Sequence, residues 1–290
     1  LWEPVQRWCL RDARFRFFHL ESCPGAKAGA LNFALRQTAP DATLISLVDS
    51  DYQARPDFLA ALVGFFDDPQ IGFVQTPHDY RGWQHSLYQR MCYWEYRRFF
   101  STMMVSWNER NAAITVGTMC VIRREALRRA GGWSEWCLTE DSELAPRIHA
   151  LGYSSVFVQE TFGRGLIPET FREYAKQRRR WTYGPTQELK RHLPMFLPRR
   201  VAAPSALLFA QKVHHLRHDS GPLLQGVGFL LMPLGLAVIG SMLLHGEQPA
   251  LPGVVWAAAI MNGVASQVLG WCLQRRAMRC SFVDVLCASF

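Results

Sequence analysis

The chain has few charged residues and no closely spaced pair of cysteines, and each of these features excludes a class of protein. Charged residues make up only 19% of the 290 residues and hydrophobic residues 49%, which excludes an intrinsically disordered tail and a coiled coil. None of the eight cysteines forms a Cys-x-x-Cys pair, so neither a structural zinc site of that kind nor a disulfide framework is expected. We therefore predict a folded protein with free thiols in a reducing compartment.

The sequence also lacks an initiator methionine, a signal peptide and internal repeats, so we expect a fragment of a longer chain. Its length suffices for one large domain, or for one domain with an appendage. The 32 Lys and Arg residues exceed the 24 Asp and Glu residues, and the formal net charge is +8. Most of this charge precedes residue 221, where a basic surface indicates a nucleotide, nucleic acid or acidic lipid as partner.

The first 194 residues alternate short apolar runs with amphipathic helical patterns, which indicates an α/β domain. We predict strands at residues 42–48, 71–75, 114–122 and 156–158, and helices at residues 57–66, 87–104 and 140–150. Asp49 directly follows the first of these strands, so acidic side chains are expected at its carboxyl end. In open α/β sheets, ligands bind at that end of the strands.

Two long uncharged stretches follow a basic, histidine-bearing junction at residues 195–221. Residues 222–244 and 250–273 each have the roughly 20 residues that span a bilayer, and they predict a transmembrane hairpin. The segment 274–290 carries arginines, so the positive-inside rule predicts that it is cytoplasmic. Because a hairpin returns the chain to the side from which it entered, the large domain, residues 1–194, is expected to be cytoplasmic too. The alternative is a pair of buried core helices, which are usually shorter.

Charged motifs lie at the predicted ends of strands and helices. Asp49 and Asp51 can hold a hard divalent ion and, through it, a diphosphate; the alternative is a solvated turn. Lys27 precedes small residues that open a helix, where phosphate is favoured; the alternative is an ordinary loop-to-helix junction. Thr118 is a hydroxyl residue at a strand end, which fits ligand contact or plain turn chemistry.

The segment Thr139-Glu140-Asp141 opens a predicted helix. In the functional interpretation, one of its carboxylates faces the cleft as a general base. In the alternative, Thr139 caps the helix and the two acids favour the positive end of the helix dipole.

Gln177, Arg180 and Trp181 share one face of a predicted helix, because they are three and four residues apart. The guanidinium group suits a diphosphate, and the indole can stack on a sugar ring. The alternative is a basic helix at the membrane surface with tryptophan as its anchor, and we assign Arg178 and Arg179 to that role.

Three histidines in the junction, His214, His215 and His218, have the spacing of a metal site. No glutamate base accompanies them, so we interpret them as polar residues at the membrane junction.

Taken in order, these motifs resemble those of the family 2 inverting glycosyltransferases, the group of cellulose, chitin and hyaluronan synthases. The resemblance rests on Lys27-Ala28-Gly29, Asp49-x-Asp51, Thr139-Glu140-Asp141 and Gln177-x-x-Arg180-Trp181, followed by membrane spans. It covers residues 14–191 and the hairpin. It implies a GT-A (Rossmann-like) α/β fold, here truncated at its N-terminus, with Mg²⁺ or Mn²⁺ as cofactor.

The resemblance also implies which residues bind the donor, a nucleotide-sugar that is usually UDP-linked. Asp49 and Asp51 would contact the metal and the donor, and Lys27 would lie near the diphosphate. Gln177 and Arg180 would hold the diphosphate as it leaves.

On the acceptor side, the resemblance makes Asp141 the base that deprotonates the attacking hydroxyl. Trp181 would stack on the acceptor sugar, with Glu140 and Thr118 beside it. The chain reads Thr-Val-Gly-Thr at residues 115–118 and lacks the Phe-Phe-Cys-Gly-Ser pattern of cellulose synthase, which weakens cellulose as the product. The family's first aspartate motif does not precede Lys27, so we expect an incomplete donor site.

The sequence therefore predicts a hexosyltransferase that extends a polysaccharide, a β-glucan made from UDP-glucose, in a bacterial-type plasma membrane. The enzyme would be multi-pass, with its catalytic domain in the cytoplasm. One alternative with the same fold is the addition of a single sugar to a lipid acceptor. A non-enzymatic alternative is a basic, membrane-tethered binding domain. The acidic motifs argue against nucleic acid as partner, because carboxylates repel polyanions.

Overall fold

The structure, a computed structural model, describes residues 2–197, 205–246 and 253–289. Part of the predicted junction (198–204) and the start of the second apolar stretch with the loop before it (247–252) lie outside the described residues. The predicted boundary after residue 194 falls inside a helix that ends at Phe196, and the division into domains stays a prediction.

Short strands and helices alternate through residues 2–197. The strands are β1 (Leu44–Leu47), β2 (Gln53–Ala54), β3 (Ile71–Gln75), β4 (Tyr80–Arg81), β5 (Cys120–Arg123), β6 (Ser154–Phe157) and β7 (Gly163–Leu166). The helices of this part are α1 (Glu3–Cys9), α2 (Ala26–Gln37), α3 (Phe58–Leu62), α4 (Leu87–Arg98), α5 (Met104–Asn108), α6 (Arg124–Arg129), α7 (Glu140–Ala150) and α8 (Phe171–Phe196). A π-helix, Phe99–Met103, joins α4 to α5. Among the later residues that the structure describes, the helices are α9 (Phe209–Leu244), α10 (Gly253–Met278) and α11 (Phe282–Cys287).

The strands of the described residues form two small sheets. The larger has the order β1-β5-β3-β6, in which β5 is antiparallel to β1 and β3, and β3 is parallel to β6. The smaller has the order β2-β7-β4, in which β7 is antiparallel to β2 and parallel to β4. The mixed α/β architecture was predicted, and Asp49 follows the carboxyl end of β1 as expected.

Both faces of the larger sheet pack against apolar residues. Neighbouring residues of a strand point to opposite sides, so each strand contributes to both layers. Phe73 and Ile122 belong to one apolar cluster, with Leu144 of α7. Val74 and Val121 belong to the other, on the side of α3. Burial of each such side chain contributes about 1.5–3 kcal/mol, so this double-sided core fixes the sheet that carries the site.

The strand predicted at residues 114–122 is the main local difference. Pairing begins only at Cys120, because Gly117 and Met119 have φ angles of +81° and +51°. Residues with positive φ do not continue a pleated strand. The resulting turn lies beside the carboxyl end of β1, where the Thr118 hydroxyl accepts a hydrogen bond from the Asp49 amide.

One helix in the described part of the chain is long and apolar enough to cross a membrane, by length and composition. It is α9, whose most apolar 18-residue window has a mean hydropathy of 2.2 and no buried residues. This exposure excludes a core helix for that window. The apolar stretch at 250–273 falls largely in helix α10, but a transmembrane hairpin is not confirmed.

The C-terminal segment, predicted as a basic cytoplasmic extension, contacts the globular domain through α11. The Arg90 side chain of α4 donates a 2.9 Å hydrogen bond from Nε to Oδ1 of Asp284. Trp94, Met278 and Val285 form a small apolar cluster beside this ion pair. Helix α11 is therefore part of the same folded body.

Candidate active site

A cavity of about 200 Å³ opens where β1 ends. Eight of the nine predicted site residues line it: Lys27, Asp49, Asp51, Glu140, Asp141, Gln177, Arg180 and Trp181. They come from α2, the loop after β1, α7 and α8, so the fold brings four distant stretches of chain to one place. Thr118 does not line the cavity.

Lys27 and Asp49 form an ion pair at the cavity wall. The Nζ atom of Lys27 lies 2.6 Å from Oδ1 of Asp49 and donates a second hydrogen bond of 2.9 Å to the Gly117 carbonyl. Burial disfavours the charged lysine, but the carboxylates of Asp49, Asp141 and Glu140 outweigh it and raise the pKa of Lys27. The lysine therefore stays cationic at neutral pH.

The Asp49-Ser50-Asp51 turn is held from two sides. The backbone amide of Asp49 donates a 2.8 Å hydrogen bond to the hydroxyl of Thr118, and the Leu166 amide donates one of 3.0 Å to Oδ2 of Asp51. Thr118 is fully buried. Its predicted contact with an acceptor therefore does not fit its position, and the residue orients the backbone of Asp49 instead.

The two aspartates fit a divalent cation. In the described part of the chain, Oδ2 of Asp49 and Oδ1 of Asp51 take part in no hydrogen bond, and both side chains line the cavity. Hard cations such as Mg²⁺ and Mn²⁺ prefer carboxylate oxygens. This pair therefore offers two carboxylate oxygens to a cation in the cavity.

The first turn of α7 carries Glu140 and Asp141 into the cavity. Oδ1 of Asp141 accepts a 2.9 Å hydrogen bond from the Ser142 amide, and the Thr115 hydroxyl donates to the Asp141 carbonyl. Burial raises the pKa of both carboxyl groups; the charge of Asp141 adds to the effect at Glu140, and Lys27 opposes it at Asp141. A carboxylate with a raised pKa is a stronger base.

Thr139 does not cap α7 through its side chain, contrary to the alternative considered for this motif. Its hydroxyl instead donates a 2.6 Å hydrogen bond to Oε1 of Glu188 on α8. Gly184 of α8 lies so close that a Cβ atom there would meet the Thr139 hydroxyl at 2.0 Å. Helices α7 and α8 are therefore in close contact behind the cavity.

Helix α8 presents Gln177, Arg180 and Trp181 on one face, as their spacing predicts. The hydroxyl of Tyr96 donates a hydrogen bond to Oε1 of Gln177. The half-buried Trp181 ring packs edge-on against the Tyr96 ring at a centroid distance of 5.4 Å. Arg180 is exposed and forms no ion pair in the residues that the structure describes, so its guanidinium group can meet an anionic ligand.

Arg178 is not a membrane-surface residue, contrary to our assignment. Its guanidinium carbon lies 4.9, 4.8 and 4.6 Å from the ring centroids of Tyr96, Tyr174 and Trp181. Its Nη2 atom lies 2.6 Å from Oε2 of Glu95. Cation–π contacts of this kind stabilise by about 0.5–2 kcal/mol, and here they fix the Trp181 indole.

A second cavity of about 300 Å³ adjoins the first. Asp141 and Trp181 line both. The second is otherwise largely apolar, with Phe99, Phe100 and Met103 of the π-helix among its lining residues. We call the first cavity the charged chamber and the second cavity the aromatic chamber. Asp141 therefore lies where the two chambers meet.

Three titratable side chains that line the charged chamber were not predicted from the sequence: Tyr52, His78 and Tyr80. Burial, with the nearby charge of Lys27, lowers the pKa of His78 to about 3, so this imidazole is neutral. His78 follows Gln75-Thr76-Pro77 at the end of β3, and its position after a strand could have identified it. The Tyr52 ring packs against Gly165, where a Cβ atom would lie 2.3 Å from it.

Comparison with known families agrees with this geometry. The family profile described as "Glycosyl transferase family group 2" matches residues 44–265, most of the chain. The chain belongs to this family. The predicted resemblance is thus confirmed, and the relatives place the chain in the cellulose synthase-like group.

Two relatives illustrate the range of the group. A probable glucomannan 4-beta-mannosyltransferase 15 of Arabidopsis thaliana is 28% identical over 64% of this chain and 35% of its own length. A cellulose synthase catalytic subunit (UDP-forming) of Pseudomonas fluorescens is 29% identical over 76% of this chain and 30% of its own length. The chain thus spans about a third of the length of these relatives.

A solved structure confirms the fold. The mannosyltransferase PcManGT from Pyrobaculum calidifontis, in complex with GDP-Man and Mn²⁺, matches 99% of this chain and 72% of its own with a TM-score of 0.55. The sequence identity is 18%, so the likeness concerns the fold alone. The predicted GT-A type architecture is confirmed.

Proposed function

We propose that this chain is the catalytic part of a membrane-associated, inverting glycosyltransferase that extends a β-linked glycan with mannose or glucose. The observation that carries the proposal is the junction of the two cavities. A cationic and acidic chamber meets an aromatic chamber at the side chain of Asp141. Such an arrangement suits one displacement at a sugar carbon between a bound donor and a bound acceptor.

The charged chamber would hold the donor, a sugar linked to a nucleoside diphosphate. Arg180 and Lys27 offer positive charge to the diphosphate, and Gln177 offers an amide beside them. Asp49 and Asp51 would hold the divalent cation, which supplies neutralisation of the charge that develops on the diphosphate. These groups lower the barrier because they are fixed before the bond breaks.

Asp141 would remove the proton from the attacking hydroxyl of the acceptor. The sugar carbon is attacked on the face opposite the diphosphate, so its configuration inverts. Trp181, fixed by Arg178 and Tyr96, would stack on the acceptor sugar and hold its hydroxyl close to Asp141.

The choice of sugar rests on the relatives. The chain is similar to glucomannan mannosyltransferases and to a UDP-forming cellulose synthase, and its structural neighbour contains GDP-Man. We therefore propose GDP-mannose or UDP-glucose as the donor, which broadens the UDP-glucose expected from the sequence.

The membrane location rests on α9. Its exposed side chains include Phe229, Leu230 and Leu234, each more than half exposed, and an apolar surface of this size is stable in lipid rather than in water. We place α9 in a plasma membrane with the active site on the cytoplasmic side. A growing glycan would then leave the acceptor cavity close to the bilayer.

Membranes from cells that express the full chain provide the test. They are incubated in parallel with radiolabelled GDP-mannose and UDP-glucose, and the product is digested with linkage-specific β-mannanase and cellulase. We expect labelled β-linked polymer from one donor, its loss in Asp51→Asn, and normal yield in Asp67→Asn, an exposed aspartate outside the cavity. Absence of product with both donors, or an α-linked product, would refute the proposal.

A second candidate is the addition of one sugar to a lipid acceptor. The apolar lining of the second cavity, with Phe99, Phe100 and Met103, favours it. Product length separates the two functions: a ladder of oligomers supports polymer extension, and a single labelled species that partitions into organic solvent supports the lipid acceptor.

A further inference from the structure

Three polar side chains meet between α8 and α9, outside the charged chamber. They are Glu188, His218 and Asp219. One carboxylate oxygen from each acid and one ring nitrogen of the histidine lie within 4.8 Å of one another. Glu188 comes from α8 and the other two from α9, so tertiary packing creates the cluster.

Each of the three side chains carries a buried polar atom without a partner, and His218 as a whole is half-buried. Glu188 is 0% exposed and Asp219 is 1% exposed. In the part of the chain that the structure describes, Oε2 of Glu188, Oδ2 of Asp219 and Nε2 of His218 are buried and have no hydrogen-bond partner. Neither carboxylate forms an ion pair there, and the nearby Glu143 is already paired with Arg147 and His192. Buried polar atoms without partners are strongly unfavourable, and buried unpaired charges more so.

We propose that Glu188, His218 and Asp219 bind one divalent cation of the zinc class. Two carboxylates and an imidazole form a ligand set that zinc and neighbouring transition metals accept, and three protein ligands leave one position for water. A dication would balance both negative charges and supply a partner for all three orphaned atoms. The imidazole disfavours Mg²⁺ and Ca²⁺, which prefer sites made of oxygen atoms alone.

The cation would be close to the active site but separate from the donor metal. The other oxygen of Glu188, Oε1, accepts hydrogen bonds from Thr139 at 2.6 Å and Ser142 at 2.7 Å. These residues flank Glu140 and Asp141 in the first turn of α7. The site would therefore tie α9 to the helix turn that carries the proposed base. His218 also lines the second cavity, which offers the ion an entry path.

Of the three histidines of the sequence motif, the cluster contains only His218 among the residues that the structure describes. His215 is fully buried and its Nε2 lies 3.0 Å from Nδ1 of His149, so it is not a surface residue of the membrane junction. His218 lies among the carboxylates. The glutamate that the motif lacks in the sequence comes from α8, thirty residues before His218.

Metal content of the purified full chain tests the proposal. The protein is desalted over a chelating resin, given Zn²⁺, desalted again and analysed by mass spectrometry of the metal. We expect one equivalent of zinc in the wild type and in the Asp49→Asn/Asp51→Asn double variant. We expect less than a tenth of an equivalent in Asp219→Asn and Glu188→Gln. His214→Gln, a histidine of the same helix outside the cluster, is the matched control and should retain the metal.

A measurement on the wild type keeps the test valid if these variants do not fold. Co²⁺ added to the metal-free wild type should give the visible absorption of a tetrahedral or five-coordinate site, and Zn²⁺ should abolish it. Zinc should also raise the unfolding temperature of the metal-free protein, because it binds the folded state. No retained zinc and no cobalt spectrum would overturn the proposal. So would zinc that is lost from the Asp49→Asn/Asp51→Asn variant and kept by Asp219→Asn.

Discussion

Gly117 lies in direct contact with Asp141, so closely that a Cβ atom at position 117 would be 2.7 Å from Oδ2 of the aspartate. The same atom would be 3.3 Å from Nζ of Lys27. Gly117 also has a φ angle of +81°, which residues with a side chain rarely adopt. The glycine therefore leaves room for the side chains of Asp141, the proposed base, and Lys27.

Replacement of Gly117 by alanine should displace the proposed base. We expect transfer to fall about 100-fold, since small misplacements of reacting groups have effects of that size. The left-handed backbone should lower the free energy of unfolding by about 1–2 kcal/mol. Initial rates of sugar transfer and denaturant unfolding would measure the two effects. Gly64→Ala is the control, because nothing lies within 4 Å of a Cβ atom there, and equal losses in both variants would contradict the contact.

Replacement of Asp141 by asparagine should abolish proton removal and leave donor binding intact. We expect transfer to fall by about 100- to 10,000-fold, the usual contribution of a general base. Calorimetric titration with GDP and UDP should give an unchanged affinity for the nucleotide that binds. Normal turnover in this variant would exclude Asp141 as the base.

The pH profile of transfer should reflect the raised pKa of the Glu140–Asp141 pair. The base must be ionised, so kcat/KM should fall as the pH drops through a pKa above about 4, the value of an unperturbed aspartate. Because the two carboxyl groups titrate together, the profile reports the pair.

Lys27→Met offers a test of the sign of this effect. The positive charge of Lys27 lowers the pKa of Asp141, so its removal should raise that pKa and move the acid limb to higher pH. The midpoint of the acid limb is measured at donor concentrations high enough to give measurable turnover in both proteins. A limb that moves to lower pH, or stays in place, would show that Lys27 does not act on the base.

Arg178 and Arg179 should respond differently to the same substitution by lysine. Lysine keeps the charge but loses the planar group that stacks on three aromatic rings and pairs with Glu95. We expect Arg178→Lys to lower the free energy of unfolding by about 1–2 kcal/mol and to weaken acceptor binding through Trp181. Arg179 is exposed, and its replacement should change stability by less than about 0.5 kcal/mol. Thermal unfolding and KM for the acceptor would show the difference.

Periodicity and local motifs predict much of this molecule. The runs at residues 42–48 and 71–75 contain strands because alternate side chains meet apolar layers on both faces of the sheet. The spacing of Gln177, Arg180 and Trp181 predicts one helix face, and the structure shows it. The sequence did not predict that the strand begins only at Cys120, because this depends on the backbone angle of Gly117. It also did not predict the position of Thr118, because this depends on a hydrogen bond with the distant Asp49.

The sequence by itself determined the chemistry available to this protein: the order of its acidic, basic and aromatic motifs and the apolar length of α9. These are properties of residue type and spacing along one element. Only the tertiary structure decided that Arg178 packs against aromatic rings, that Thr118 accepts a hydrogen bond from the Asp49 amide, and that Glu188 lies close to His218 and Asp219. Each of these depends on contacts between residues at least thirty positions apart, and such contacts leave no periodic signal in the chain.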